Sequence, residues 1–238
     1  MPGISRYPSG NLNYNTSSFI DSADPVYGNG MDGDATLDGS TTVLGMAPSS
    51  SVYSMTRDMY FNNLTINASV RLSPNGYRIF VKNLLTLNSN STIGFSTGYS
   101  TAGSIQQGGA ATTAVTHSLG GSATGYTATA PTEALGGSNW YKVPRQAILG
   151  YSITASGGPT FLRGGAGGSG QAGGGVVILA ARYISGPNSG TGYIKAPATA
   201  PAGGGVILIV SSAAGLPSSI STDVTGQNSG TVNYMQLV

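Results

Sequence analysis

Aliphatic residues along this chain occur in short runs and alternating patterns rather than at helical spacing. The segment GGGVVIL at Gly173–Leu179 returns further along the chain as GGGVILI at Gly203–Ile209. A triple glycine before a continuous aliphatic run predicts a tight corner followed by a strand that is buried on both faces. Because the unit recurs, the sequence predicts strands stacked in a solenoid-like architecture.

Alternation of apolar and polar residues dominates Thr36–Ile93 and predicts half-buried strands. NLTIN at Asn63–Asn67 is followed by the similar LLTLN at Leu84–Asn88, and the step between them is close to one turn of a β-solenoid. SPNG at Ser73–Gly76 predicts a turn between them. A last alternating segment, Val232–Val238, predicts a strand that either caps the stack or pairs with another subunit.

The remaining segments lack this periodicity. Residues 1–30 are rich in Pro, Gly, Asn, Ser and Tyr, which predicts an extended N-terminal arm. Residues 31–238 are then expected to form a single β-solenoid-like domain. Within it, Gly, Ser, Ala and Thr dominate at about 94–170. The aromatic residues of this region favour large loops packed on the side of the stack over a solvated low-complexity linker.

Composition supports an all-β fold and reduces the range of partners that this chain is expected to bind. Charged residues make up 8% of the chain, against roughly 25% in an average soluble domain, and Glu133 is the one glutamate. With few helix formers, the chain is expected to be strand and loop. A net charge of +2 from scattered basic residues predicts no nucleic-acid partner. The absence of cysteine excludes disulfides.

No membrane partner is expected. The longest aliphatic runs, Val176–Ala181 and Val206–Val210, are far shorter than the roughly 20 residues that cross a bilayer. The segment Met1–Arg6 has no apolar stretch after its charge, so we expect no signal peptide.

Motifs for cofactor or metal binding are weak. GAGGSG at Gly165–Gly170 leads into a β-run, whereas a dinucleotide loop opens a helix, so no cofactor is expected. His117 has no nearby acid to orient it, which favours a structural role. DGDATLD at Asp32–Asp38 resembles the front of a calcium loop, but Val43 replaces the bidentate glutamate. Turn aspartates are favoured there, with a weak structural cation as the alternative.

Binding is a better expectation than catalysis. Polysaccharide hydrolysis usually needs two carboxylates at a defined separation. Beyond residue 58 the acids are Glu133 and Asp223, and no spacing predicts that they pair, so no enzyme activity is expected. Aromatic side chains supply contact area at small entropic cost. The candidates for a contact surface are Tyr99, Tyr126, Trp140, Tyr141, Tyr151 and Tyr193. Packing of these rings onto the stack is the equal alternative.

Two blocks of the chain resemble a known class of proteins. TRDMYFNNLTI at Thr56–Ile66, continuing into PNGYRIFVK at Pro74–Lys82, resembles a stretch common in tailed-bacteriophage particle proteins. Those relatives pair it with a glycine-rich zone and a strand similar to GGGVVILAAR at Gly173–Arg182. The resemblance implies a right-handed β-helix-like structural protein of the virion, and it carries no catalytic residues.

We therefore expect a capsid cement or decoration protein on the outer surface of a virion. Its expected partners are the major capsid protein, other virion proteins and further copies of itself, most simply in a trimer. The alternative is a tail fibre or spike protein that binds a host surface glycan through the loops at about 94–160. A polysaccharide depolymerase ranks third.

Overall fold

The computed structural model describes residues 26–75, 77–95, 173–199, 203–226 and 229–237, together with the backbone of four short strands between residues 115 and 161. This part of the chain consists of strands, turns and loops without a helix, which confirms the all-β prediction. Accordingly, the described residues include no helix that would be long and apolar enough to cross a membrane.

The described strands follow one another at short intervals on both sides of the segment 96–172. In chain order they are β1 (Gly33–Leu37), β2 (Val52–Ser54), β3 (Met59–Ile66), β4 (Arg71–Ser73), β5 (Arg78–Leu87), β6 (Thr92–Gly94), β7 (Val115–His117), β8 (Gly120–Ala123), β9 (Tyr151–Ile153), β10 (Pro159–Phe161), β11 (Val176–Ser185), β12 (Gly192–Lys195), β13 (Val206–Ser211), β14 (Ile220–Asp223) and β15 (Thr231–Gln236).

Two parallel sheets are built from eleven of these strands. The larger sheet has the order β1-β3-β5-β11-β13-β15, and the smaller has the order β2-β4-β6-β12-β14. Along these strands the chain alternates between the two sheets. Every neighbouring pair within either sheet is parallel. The other four strands form two antiparallel pairs, β7 with β8 and β9 with β10.

The strand register confirms both sequence repeats. Val176 of β11 lies opposite Val206 of β13, which are equivalent positions of the two GGGV segments. Leu64 of β3 lies opposite Leu85 of β5, which are equivalent positions of NLTIN and LLTLN. Corresponding positions of each repeat are therefore neighbours in the larger sheet, an arrangement compatible with the stack that the repeats predict.

A hydrophobic core fills the space between the two sheets. Both sheets contribute alternate side chains to it, as expected for strands whose successive residues point to opposite faces. Its fully buried members include Phe61, Leu64, Leu85 and Ile209 from the larger sheet and Tyr53, Leu72, Ile93 and Ile194 from the smaller one.

Part of the outer face of the larger sheet, along β11 and β13, is also apolar. Ile178 and Leu208 belong to a second buried cluster there and are 0% exposed, as are their inward-facing neighbours Leu179 and Ile209. The prediction of two-sided burial for the strands after the glycine triplets is thus confirmed. Tyr27 packs on the same outer face, where the rings of Tyr60 and Phe80 stack 4.8 Å apart.

The N-terminal arm predicted for residues 1–30 lies outside the described residues up to position 25. Its last part, Val26–Gly30, lies against the larger sheet, because Tyr27 belongs to the outer cluster and a Cβ on Gly28 would meet Tyr60 and Phe80. The Gly/Ser-rich region at about 94–170 also lies outside the described residues, apart from its first two residues and the backbone of β7 to β10.

The glycine corners are places where neighbouring turns of the chain nearly touch. A Cβ on Gly204 would lie 1.9 Å from the carbonyl oxygen of Val224 and 2.6 Å from the amide nitrogen of Gly230. Both obstacles are backbone atoms, so a side chain at position 204 has no flexible neighbour to displace. The sequence requires glycine here for close approach, as the repeat predicts.

We expect Gly204→Ala to lower the free energy of unfolding by about 2 kcal/mol or more, because overpacking against backbone is not relieved by a rotamer change. Gly215→Ala is the matched control, since a Cβ there meets nothing within 4 Å. Urea unfolding followed by circular dichroism measures both. Equal stability of the two variants would contradict the close-approach explanation.

Candidate functional site

The aspartates before and within β1 are each held by hydrogen-bond donors of this chain. The guanidinium of Arg57 binds Asp32 with both terminal nitrogens, at 2.9 and 2.6 Å, and the amide of Tyr60 donates to the same carboxylate at 2.6 Å. The hydrogen bond from Arg57 is the main reason why the pKa of Asp32 is lowered. The pair joins β1 to β3, so its role here is structural.

Asp34 connects neighbouring strands in a similar way. Its Oδ1 accepts hydrogen bonds from the side-chain amides of Asn62 and Asn63, at 2.7 and 2.8 Å. These donors lower the pKa of Asp34. This row of hydrogen-bonded side chains continues into β5, because Asn83 donates to Asn62 Oδ1 at 2.8 Å.

Asp38 organises the turn that follows β1. Its Oδ1 accepts from the backbone amides of Ser40 and Thr41, at 2.7 and 2.8 Å, which lower its pKa well below the usual range. The hydroxyl of Tyr53, a fully buried residue, lies 3.0 Å from the same oxygen. Asp38 therefore fits the turn interpretation of the DGDATLD segment, whereas Asp34 lies within β1 and binds the neighbouring strand. Among the described residues, no three acidic or histidine side chains gather as a metal site would require.

A groove of about 440 Å³ lies on the outer face of the smaller sheet, across β12 and β14. Parallel register places Tyr193 opposite Ser221 and Lys195 opposite Asp223. Because side chains alternate along a strand, all four face the same side of the sheet. Thr225 and Ser229 complete the rim.

The polar groups of the groove interact with one another. Lys195 Nζ lies 4.2 Å from the centre of the Tyr193 ring and 3.8 Å from Asp223 Oδ2. Asp223 Oδ1 accepts hydrogen bonds from the amide and the hydroxyl of Thr225, at 3.1 and 2.8 Å. An aromatic ring, one ammonium, one carboxylate and several hydroxyls are suited to hold a polar molecule that has an apolar face.

Tyr193 is the predicted contact residue that the structure describes in full, and it lies in this groove. Tyr151 begins β9, but its side chain is not among those described. The other four predicted contact residues lie outside the described residues: Tyr99, Tyr126, Trp140 and Tyr141. Glu133, the GAGGSG segment and the side chain of His117 also lie outside them.

The sequence pattern alone does not bring Tyr193 together with Lys195 and Asp223. The usable signal was the alternation in GYIK at Gly192–Lys195 and in ISTD at Ile220–Asp223, which gives two short strands with outward polar residues. What joins those strands is their register, which no local pattern reveals.

The described residues define an all-β protein with two stacked parallel sheets and a polar groove at one end of the smaller sheet. No protein-family model, curated protein or solved structure matches this chain.

The lowered pKa values of Asp32 and Asp38 predict acid sensitivity. A carboxylate whose pKa is lower in the folded state adds stability above its unfolded pKa of about 3.9, and that stability is lost as the pH falls through the folded value. We expect the free energy of unfolding to be level above about pH 5 and to decrease below about pH 4. Asp38→Asn should make the free energy of unfolding fall less steeply with decreasing pH, as measured by urea titrations at several pH values. An unchanged pH dependence would rule out Asp38 as a contributor.

Proposed function

We propose that the two sheets form a short right-handed β-solenoid. Support comes from the alternation of the chain between sheets and from the register, which aligns Leu64 with Leu85 and Val176 with Val206. The handedness follows a general rule, since crossover connections between parallel strands of one sheet are right-handed in nearly all proteins.

On this scaffold, the protein serves as a non-enzymatic structural component of a bacteriophage particle, as capsid cement or decoration. The observation that carries this proposal is the position of the two blocks that resemble phage particle proteins. Thr56–Ile66 contains β3, Pro74–Lys82 enters β5, and Gly173–Arg182 contains most of β11. These three strands are consecutive neighbours in the larger sheet, although the whole segment 96–172 lies between the blocks in sequence.

The chemistry of the described residues supports a structural role. Three of the described carboxylates are paired with cations across neighbouring strands: Asp32 with Arg57, Asp58 with Arg78, and Asp223 with Lys195. Such pairs connect turns of the stack. Low overall charge also allows many copies to lie side by side without repulsion.

In this proposal, the protein attaches to the outer surface of the shell through its N-terminal arm and clamps neighbouring capsomers. It contacts the major capsid protein and further copies of itself, with a trimer as the expected form. Arm and edge contacts bury surface between subunits and so raise the energy needed to separate them.

The test uses particles that lack this protein, to which the purified chain is added back. We expect the full chain to restore density at capsomer junctions in cryo-electron micrographs and to raise the temperature at which the shell opens. A chain without residues 1–25 should fold equally well, because Tyr27 and its contacts remain, but should not attach.

Two results would contradict this proposal. Full decoration by the truncated chain would remove the arm from the attachment mechanism. Density restricted to a few copies at the tail would reject the cement function and favour the second candidate.

The second candidate is a tail fibre or spike protein that binds a host surface glycan, and the Tyr193 groove favours it. Tyr193→Ala should weaken binding to host envelope polysaccharide by up to about tenfold, because one aromatic contact contributes about 0.5–1.5 kcal/mol. Tyr193→Phe keeps the ring and is the matched control. If the unmodified chain does not bind the polysaccharide in biolayer interferometry, this candidate fails.

A further inference from the structure

The outer edge of the larger sheet is formed by β15. On one side this strand pairs with β13 over its whole length, from Thr231 opposite Val206 to Gln236 opposite Ser211. On its other side no described strand follows, since β15 is the last in the sheet order.

Main-chain hydrogen bonds show which groups of β15 remain available. The amide of Thr231 donates to Gly205 O at 3.0 Å, and the amide of Leu237 donates to Ser211 O at 2.8 Å. Odd-numbered residues of β15 therefore direct their main-chain groups toward β13. Because these groups alternate along a strand, Val232, Tyr234 and Gln236 direct theirs toward the open edge. No described strand lies on that side to pair with them.

This edge lacks the features that protect sheet edges from pairing with other chains. Such features are charged side chains, proline and bulges. The opposite edge strand, β1, has two of them: an irregular register between Gly33 and Ala35, and the exposed charge of Asp34. In contrast, β15 has regular register along its length and the uncharged sequence TVNYMQ. Val232 is also 37% exposed.

We propose that β15 pairs with β15 of a second copy of this chain, in antiparallel orientation, about a two-fold axis at Tyr234. In this register the two Tyr234 residues exchange both main-chain hydrogen bonds, and Val232 of each copy lies opposite Gln236 of the other. All outward main-chain groups of the strand gain partners. An uncharged edge can face its own copy without repulsion, which the charged β1 edge cannot.

This pairing does not depend on the proposed virion function. It is a two-fold contact, so it produces pairs of chains or, where trimers form, links one trimer to another.

The test measures molar mass by light scattering during size-exclusion chromatography, from 1 to 100 µM chain. Val232→Pro removes an amide that points away from β13, so it leaves the internal ladder intact while blocking the new one. We expect it to raise the dissociation constant of the pair at least tenfold. Val232→Thr keeps the amide and the branched side chain, and it should pair as the unmodified chain does.

A monomeric unmodified chain at every concentration would overturn the proposal, as would a pair that survives in a correctly folded Val232→Pro variant. Circular dichroism and the unfolding midpoint establish the fold. If Val232→Pro is destabilised, the double variant Val232→Lys with Gln236→Lys tests the pairing instead. It keeps every main-chain group but places like charges opposite each other. Unchanged pairing in that double variant would also overturn the proposal.

Discussion

Parallel pairing between successive passes of the chain is the constraint on which the rest of the structure depends. Each pass through the larger sheet must return in register, as β13 does on β11 and β5 does on β3. That return requires corners without side chains where passes approach closely, as at Gly204. Strand register, glycine placement and two-sided burial are thus aspects of one requirement.

The two sheets meet solvent differently, and this difference locates the candidate site. Along β11 and β13 the larger sheet is apolar on both faces, with Leu208 outside and Ile209 inside equally buried. The smaller sheet presents Tyr193, Lys195 and Asp223 on its outer face. The groove therefore lies on the smaller sheet, while the larger one provides the edge at β15.

Much of the fold follows from the sequence because equivalent positions of the repeats pair with each other in the larger sheet. The repeated GGGV segments already predict that Val176 and Val206 are equivalent, and the structure places these two residues opposite each other. β12 and β14 were not predicted as strands, because segments as short as Ile220–Asp223 give alternation too little length to stand out.

The Asp32–Arg57 pair could not be predicted for a different reason: its partners are distant in sequence and meet only when β1 pairs with β3. Tyr193 was predicted from its residue type, but its partners Lys195 and Asp223 depend on the pairing of two unpredicted strands.

The connection between β6 and β11 shows that adjacent strands of the larger sheet can be joined by very different lengths of chain. Arg78 and Ile178 are direct neighbours in the larger sheet, although the chain between them is nearly five times as long as the step from Leu64 to Leu85. Closing a longer loop costs little, because the entropic penalty grows only with the logarithm of its length. The architecture thus separates a part whose spacing is fixed from a part whose length is free. The pairing of β5 with β11 can therefore accommodate a change in the length of this connection at small entropic cost.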